Sequence, residues 1–68
     1  MRKNKAEIEK MANAIGEKYG FFLNVTEIGK VLGVSRETAR KITTHLPVAM
    51  VEGMRKFYVN DVLEYVYK

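Results

Sequence analysis

The chain has 68 residues and a mass of 7.8 kDa, and 47% of its residues are hydrophobic and 29% charged. Chains of this length bury only about 60% of the surface that they expose when unfolded, so residues 1–68 are expected to form one domain. The absence of cysteine excludes a disulfide framework and a thiolate metal site. The longest apolar run, Leu46–Val51, is far shorter than the roughly 18 residues of a membrane span.

The charge balance favours a polyanionic partner. Twelve Lys and Arg against eight Asp and Glu give a net charge of +4, and residues 35–56 carry most of the excess. The basic N-terminus is followed by Ala6–Lys10, which is mixed in charge rather than apolar. We therefore expect no secretory signal and a cytoplasmic location, without membrane contact.

The first predicted element is a helix over about residues 4–19. Its apolar residues recur at i, i+3, i+4, i+7 and i+11, which places them on one helical face. They are Ile8, Met11, Ala12, Ile15 and Tyr19. Gly20 is a typical C-terminal stop for such a helix, and the segment Phe21–Leu23 after it is expected to be an apolar connector.

A second helix is predicted to begin after Asn24. Asn24 and Glu27 have the spacing of a capping box, and Leu23 and Ile28 have the spacing of a hydrophobic staple. Gly33 is suited to end this helix in the left-handed conformation. Two independent signals therefore agree on where the second helix starts.

A third helix is predicted from Ser35, which is suited to cap it, to about His45, before Pro47. Its inward stripe is expected to be Ala39, Ile42 and Leu46. Two helices joined by so short a turn need a glycine in the turn and a small residue where their axes approach. Gly33 and Gly29 occupy these places, so the segment over residues 24–45 resembles a helix-turn-helix, whose second helix enters the major groove of DNA.

The remaining residues change from helical to strand-like patterning. Val48–Val51 and Arg55–Val59 are short β-favouring runs separated by Glu52-Gly53-Met54, which predicts a hairpin over residues 48–59. Asn60 is then expected to cap a short final helix over residues 60–67. The predicted fold is mainly α with a small β-hairpin, in the order α-α-α-β-β-α.

The outward face of the third helix is the candidate DNA-reading surface. The candidate contacts are Ser35, Arg36, Glu37, Thr38, Arg40, Lys41 and Thr44. Arg40 fits bidentate recognition of a guanine edge, and Lys41 fits either a guanine or a phosphate. Glu37 is equally suited to accept from a cytosine amine or to pair with Lys41 four residues on.

Two hydroxyl side chains lie near predicted helix N-termini. Thr26 and Ser35 could contact phosphate oxygens there, because backbone N–H groups and the helix dipole favour anions at these ends. Ser35 also has a purely structural role as a cap, whether or not DNA binds.

Three segments together carry a resemblance to a known family: Leu23–Arg40, Leu46–Val48 and Glu52–Val59, followed by a short amphipathic helix. Over about residues 22–67 the chain resembles the excisionase-type winged helix-turn-helix family, which is related to the DNA-binding heads of MerR-like regulators. The resemblance implies a wing beside the recognition helix, with Gly53, Arg55 and Lys56 as DNA contacts. The N-terminal helix and Met54 near the wing tip depart from the family pattern.

Members of this family include recombination directionality factors, which bind repeated sites cooperatively, bend DNA and steer an integrase toward excision. The resemblance therefore implies duplex DNA as partner, an integrase as a second partner, self-association on adjacent sites, and a bacterial or phage-infected host cell. Other members regulate transcription, and the sequence leaves this alternative open. A third alternative is an adaptor or inhibitor that binds an acidic protein through its N-terminal helix and basic face.

Arg55 and Lys56 can also be explained without DNA, as charges that keep an edge strand soluble. Their place in the basic stretch over residues 35–56 favours DNA contact instead. His45 is the only histidine, and without a second ligand nearby we expect no metal site. No nucleophile with a base, phosphate loop or carboxylate pair is evident. We therefore expect no enzyme activity, cofactor or small-molecule substrate.

Overall fold

The computed structural model describes residues 2–67, which form four helices and one three-stranded antiparallel sheet. In chain order the elements are α1 (Lys5–Tyr19), β1 (Phe22–Leu23), α2 (Val25–Leu32), α3 (Arg36–Thr43), β2 (Ala49–Val51), β3 (Met54–Tyr58) and α4 (Val59–Tyr67). Within this part of the chain, no helix has the length and apolarity needed to cross a membrane.

The predicted starts of the first three helices are confirmed, and the caps at these starts are local. Asn4 caps α1 and Asn24 caps α2, each in a complete capping box with the glutamate three residues later. Ser35 caps α3 by accepting a 3.1 Å hydrogen bond from the backbone N–H of Thr38. Each cap satisfies backbone donors that the first helical turn leaves without a partner.

The core lies between α1, α4, the inner face of the sheet and the α2–α3 pair. Its fully buried side chains include Leu23, Ile28 and Leu63. Leu23 and Ile28 flank the α2 cap in the arrangement that the staple spacing predicts, and both belong to the same core. Full burial of a side chain of this size contributes about 1.5–3 kcal/mol each, so the start of α2 is fixed by packing as well as by its cap.

The predicted element order is wrong in one respect, because Phe22–Leu23 is a strand rather than a connector. β1 pairs with β3 in the register Phe22↔Tyr58 and Leu23↔Phe57, and the sheet order is β1-β3-β2. The order is therefore α-β-α-α-β-β-α. A strand of two residues is too short to show the alternation of apolar and polar side chains that predicts a strand. Its pairing also depends on β3, which lies more than thirty residues away in the chain.

The third helix is shorter than predicted, since it ends at Thr43 instead of near His45. The Thr43 and Thr44 hydroxyls donate to the carbonyls of Arg40 and Lys41. After Thr43 the backbone N–H groups bond three residues back, which tightens the chain before Pro47 is reached.

The predicted inward stripe of this helix is only partly correct. Ala39 is fully buried, whereas Ile42 and Leu46 are half-buried and Thr43 takes the second buried position. Ala39 and Thr43 are four residues apart, which is the spacing of one helical face. Val34 is exposed in the turn before α3.

The hairpin and the last helix also have boundaries that differ from the prediction. The loop is the two residues Glu52 and Gly53, both with positive φ, so Met54 pairs with Val51 inside the ladder. Asn60 does not cap α4, because the helix begins one residue earlier at Val59. The N–H of Val59 donates instead to the carbonyl of Phe21, which links the start of α4 to β1.

The turn between α2 and α3 is built on two glycines. Gly33 ends α2 with φ 69° and ψ 34°, the left-handed conformation that glycine adopts without a steric cost. On Gly29, a Cβ atom would lie 3.1 Å from the Val34 carbonyl oxygen, while the Val34 N–H donates to the Gly29 carbonyl. The absent side chain therefore lets the turn fold back onto α2.

We expect Gly29→Ala to lower the free energy of unfolding by about 1–3 kcal/mol, because its methyl group would press on a backbone carbonyl held by this turn. An alanine at an unhindered helical glycine would instead add up to about 1 kcal/mol of stability. Asn13→Ala on the exposed face of α1 is the control. Urea denaturation measures both variants, and a stabilised Gly29→Ala protein would contradict the close approach.

Candidate nucleic-acid interface

The outer face of α3 carries the predicted contact residues into solvent. All seven candidates on this helix and at its cap are exposed: Ser35, Arg36, Glu37, Thr38, Arg40, Lys41 and Thr44. Their orientation follows from Ala39 and Thr43, which face the core and turn the opposite side of the helix outward.

Part of this face is already engaged within the chain. The Lys41 Nζ lies 4.0 Å from Glu37 Oε1, and both side chains are about four-fifths exposed. Such exposed pairs contribute about 0–1 kcal/mol, so either residue can exchange its partner at little cost. Among residues 2–67 this is the only salt bridge, which leaves Arg36 and Arg40 without an acidic partner.

A groove between α3 and β3 brings two arginines together. It has a volume of about 300 Å³, and Arg40 from α3 and Arg55 from β3 both line it. The rest of its lining is Val25, Thr43, Thr44 and Phe57. None of these residues is acidic, so the charged residues in the lining are both arginines.

The two arginines give the lining of this groove a positive charge. Guanidinium groups form charge-assisted hydrogen bonds with anions, and these are stronger than hydrogen bonds between neutral groups. Guanidinium groups match the planar oxygens of phosphate and the acceptors of a guanine edge. The apolar Phe57 and Val25 walls lower the local dielectric constant and strengthen such contacts.

The structure separates Arg55 from Lys56, although they are neighbours in the sequence. Side chains alternate along a strand, and Arg55 lies on the same side of β3 as the buried Phe57. Lys56 is half-buried on the opposite side, opposite Ala49 in the ladder. Arg55 therefore joins the α3 face, whereas Lys56 does not.

The hairpin tip holds Gly53 in its turn with φ 78°, beside Glu52. Two exposed methionines, Met50 and Met54, flank this turn, and no basic side chain lies at the tip itself. Gly53 thus shapes the loop, and the basic contribution of the hairpin to the α3 face comes from Arg55.

Thr26 is exposed in the first turn of α2, next to Val25 in the groove wall, but it does not itself line the groove. His45 is exposed and stacks on the ring of Tyr65 with 5.2 Å between ring centroids. This contact joins the segment after α3 to α4 and gives His45 a structural role.

Sequence reasoning missed the residues that form the groove walls. Val25, Thr43 and Phe57 come from three different elements, and only packing shows that they meet. One signal was available, since the period of two in β3 places Arg55 and Phe57 on one side and Lys56 on the other.

Comparisons of the chain with protein-family models, with curated proteins and with solved structures gave no match.

A repulsion between Arg40 and Arg55, which line the same groove, would lower stability at low salt more than at high salt. We expect Arg55→Gln to raise the free energy of unfolding above that of the wild type by about a few tenths of a kcal/mol at low salt. The difference should shrink in about 0.5 M salt, where charges are screened. Lys56→Gln, on the other side of the strand, is the matched control and should show a smaller salt-dependent change. Equal salt dependence of both variants would mean that the two arginines do not interact.

Proposed function

We propose that this protein binds duplex DNA as a winged helix-turn-helix domain, with α2 and α3 as the helical pair and the β2–β3 hairpin as the wing. The observation that carries the proposal is that Arg40 and Arg55 line one groove whose lining contains no acidic residue. The net charge of +4 and the exposed Arg36 and Lys41 on the same helix support it.

In the proposed complex, α3 lies in the major groove and its exposed face meets the base edges. Arg36 and Lys41 contact phosphates or base edges from the helix, and Ser35 and Thr26 lie near the starts of α3 and α2, where backbone N–H groups favour phosphate. Arg55 extends the basic surface from the helix onto the hairpin. Arg40 stands between the two and is proposed to bind a guanine edge or the phosphate beside it.

The biological role that we favour is that of a recombination directionality factor, because the sequence resembles excisionase-type proteins. A single module of this size buries about 600–1,000 Å² on DNA, so adjacent copies on repeated sites would supply the missing specificity. A transcription regulator on the same fold would bind DNA through the same residues. DNase footprints on an attachment site and on a promoter distinguish the two roles.

We expect the wild-type protein to bind a mixed-sequence 30-base-pair duplex with an affinity that falls steeply with salt. If four basic residues of the α3 face contact phosphates, the log–log slope should be about −3 to −4. Fluorescence anisotropy from 50 to 200 mM salt measures the slope. A slope near zero, or no binding at 50 mM salt, would exclude this surface as a DNA interface.

Single substitutions separate reading of bases from contact with the backbone. On a duplex selected from a random library, Arg40→Ala should cost about 1–3 kcal/mol and relax preference at one base pair. Arg55→Ala should weaken all sequences alike and reduce the salt slope by about one. Lys56→Ala is the control on the opposite side of β3 and should have a smaller effect than Arg55→Ala. A larger loss of affinity for Lys56→Ala than for Arg55→Ala would show that the other face of the hairpin contacts DNA.

A further inference from the structure

A second concave surface lies among α1, α2 and α4, and we refer to it as the helical groove. It has a volume of about 400 Å³, which is at the small end of the range for binding sites. Most of its lining is apolar and half-buried, including Met11 and Ile15 from α1 and Val31 from α2. Leu63 from α4 also contributes to the lining, and this side chain belongs to the buried core.

The charged residues of the helical groove are both lysines. Lys18 is in the last turn of α1 and Lys30 in the last turn of α2, and both side chains are exposed. The Lys18 Nζ lies 5.4 Å from the centre of the Tyr19 ring, so its charge is held beside the apolar lining. No acidic residue lines the groove.

The helical groove shares no residue with the α3 face. The lining of the helical groove comes from α1, α2 and α4, whereas the groove that holds Arg40 and Arg55 is lined from α2, α3 and β3. Val25 is the only α2 residue in that second lining, and it does not line the helical groove. A molecule in the helical groove therefore contacts neither Arg40 nor Arg55. This inference does not depend on DNA binding.

We propose that the helical groove binds a short amphipathic segment of another protein, with large apolar side chains on one side and carboxylates beside them. The apolar lining accepts the side chains, as in other complexes in which a helix lies in a groove between helices. Lys18 and Lys30 pair with the carboxylates at the rim, and they select an acidic segment over a basic one.

A second copy of this chain fits the groove poorly because of its charge. On the hairpin, the exposed Met54 precedes Arg55 in the chain, and the exposed Met50 is paired with Arg55 across the ladder. Docking that surface would bring cations against Lys18 and Lys30. The charge pattern therefore favours an acidic partner over self-association.

The test is an NMR titration of the whole chain with two synthetic 12-residue peptides. Both have Leu or Phe at i, i+3, i+4 and i+7, and the other positions are all Glu in the first peptide and all Lys in the second. We expect the Glu peptide to bind saturably and to shift amides of α1, α2 and α4 that line the groove. We expect the Lys peptide to bind at least about fivefold more weakly.

Variants show whether binding occurs in the groove itself. Ala14 lines the groove and is exposed, so Ala14→Trp should fill it and reduce affinity for the Glu peptide about tenfold. Asn13→Trp, one residue away on the exposed face, is the matched control and should bind normally. The double variant Lys18→Glu with Lys30→Glu should reverse the preference and favour the Lys peptide.

Three results of the peptide titration would overturn the proposal. They are the absence of saturable binding of the Glu peptide at millimolar concentration, shifts that map to α3 or the hairpin, and equal binding of both peptides. Sedimentation of the chain without peptide tests self-association, and a dimer that Ala14→Trp disrupts would assign the groove to a second copy instead. Circular dichroism confirms that each variant is folded, so a loss of binding is not a loss of structure.

Discussion

The close approach of α2 and α3 at Gly29 is the constraint on which the rest of the candidate site depends. The Val34 carbonyl oxygen of the turn lies 3.1 Å from the position of an added Gly29 Cβ, which is a tight contact, and Gly33 supplies the left-handed residue that reverses the chain there. Ala39, the next small residue, faces Gly29 from α3, with 3.9 Å between its Cβ and the position of an added Gly29 Cβ. Three small residues thus decide how α3 lies against α2, and so which of its side chains face solvent.

Features that depend on neighbours in the sequence were predictable, and features that depend on distant pairing were not. The Asn24 and Glu27 box, the Ser35 cap and the Gly33 stop each act within three or four residues, so residue type and spacing were enough. The strand at Phe22 exists because Tyr58 pairs with it, and their rings lie 5.4 Å apart. Two residues show no period, and only the folded chain brings the partner near.

The candidate site follows the same division. The outward face of α3 was predictable from helical periodicity, because Ala39 must face inward and Arg40 then lies outside its stripe. The placement of Arg40 and Arg55 in one groove was not predictable, because the two residues come from different elements that only the folded chain brings together. Arg55 and Lys56 are neighbours in the sequence, which suggested that both contact DNA. Side chains alternate along a strand, however, so the two residues lie on opposite sides of β3.

The sheet connects the two halves of the molecule and explains why a chain this small can offer two separate surfaces. β3 pairs with β1 on one side and β2 on the other, and its Phe57 enters the core beside Leu23. β1 follows α1, and β3 runs directly into α4, so the strand pair holds the α1–α4 layer against the helical pair that carries Arg40. One side of the domain carries the groove between α3 and the hairpin that Arg40 and Arg55 line. The other side keeps an apolar groove rimmed by Lys18 and Lys30, and because the two share no residue, each can change its charge without altering the lining of the other.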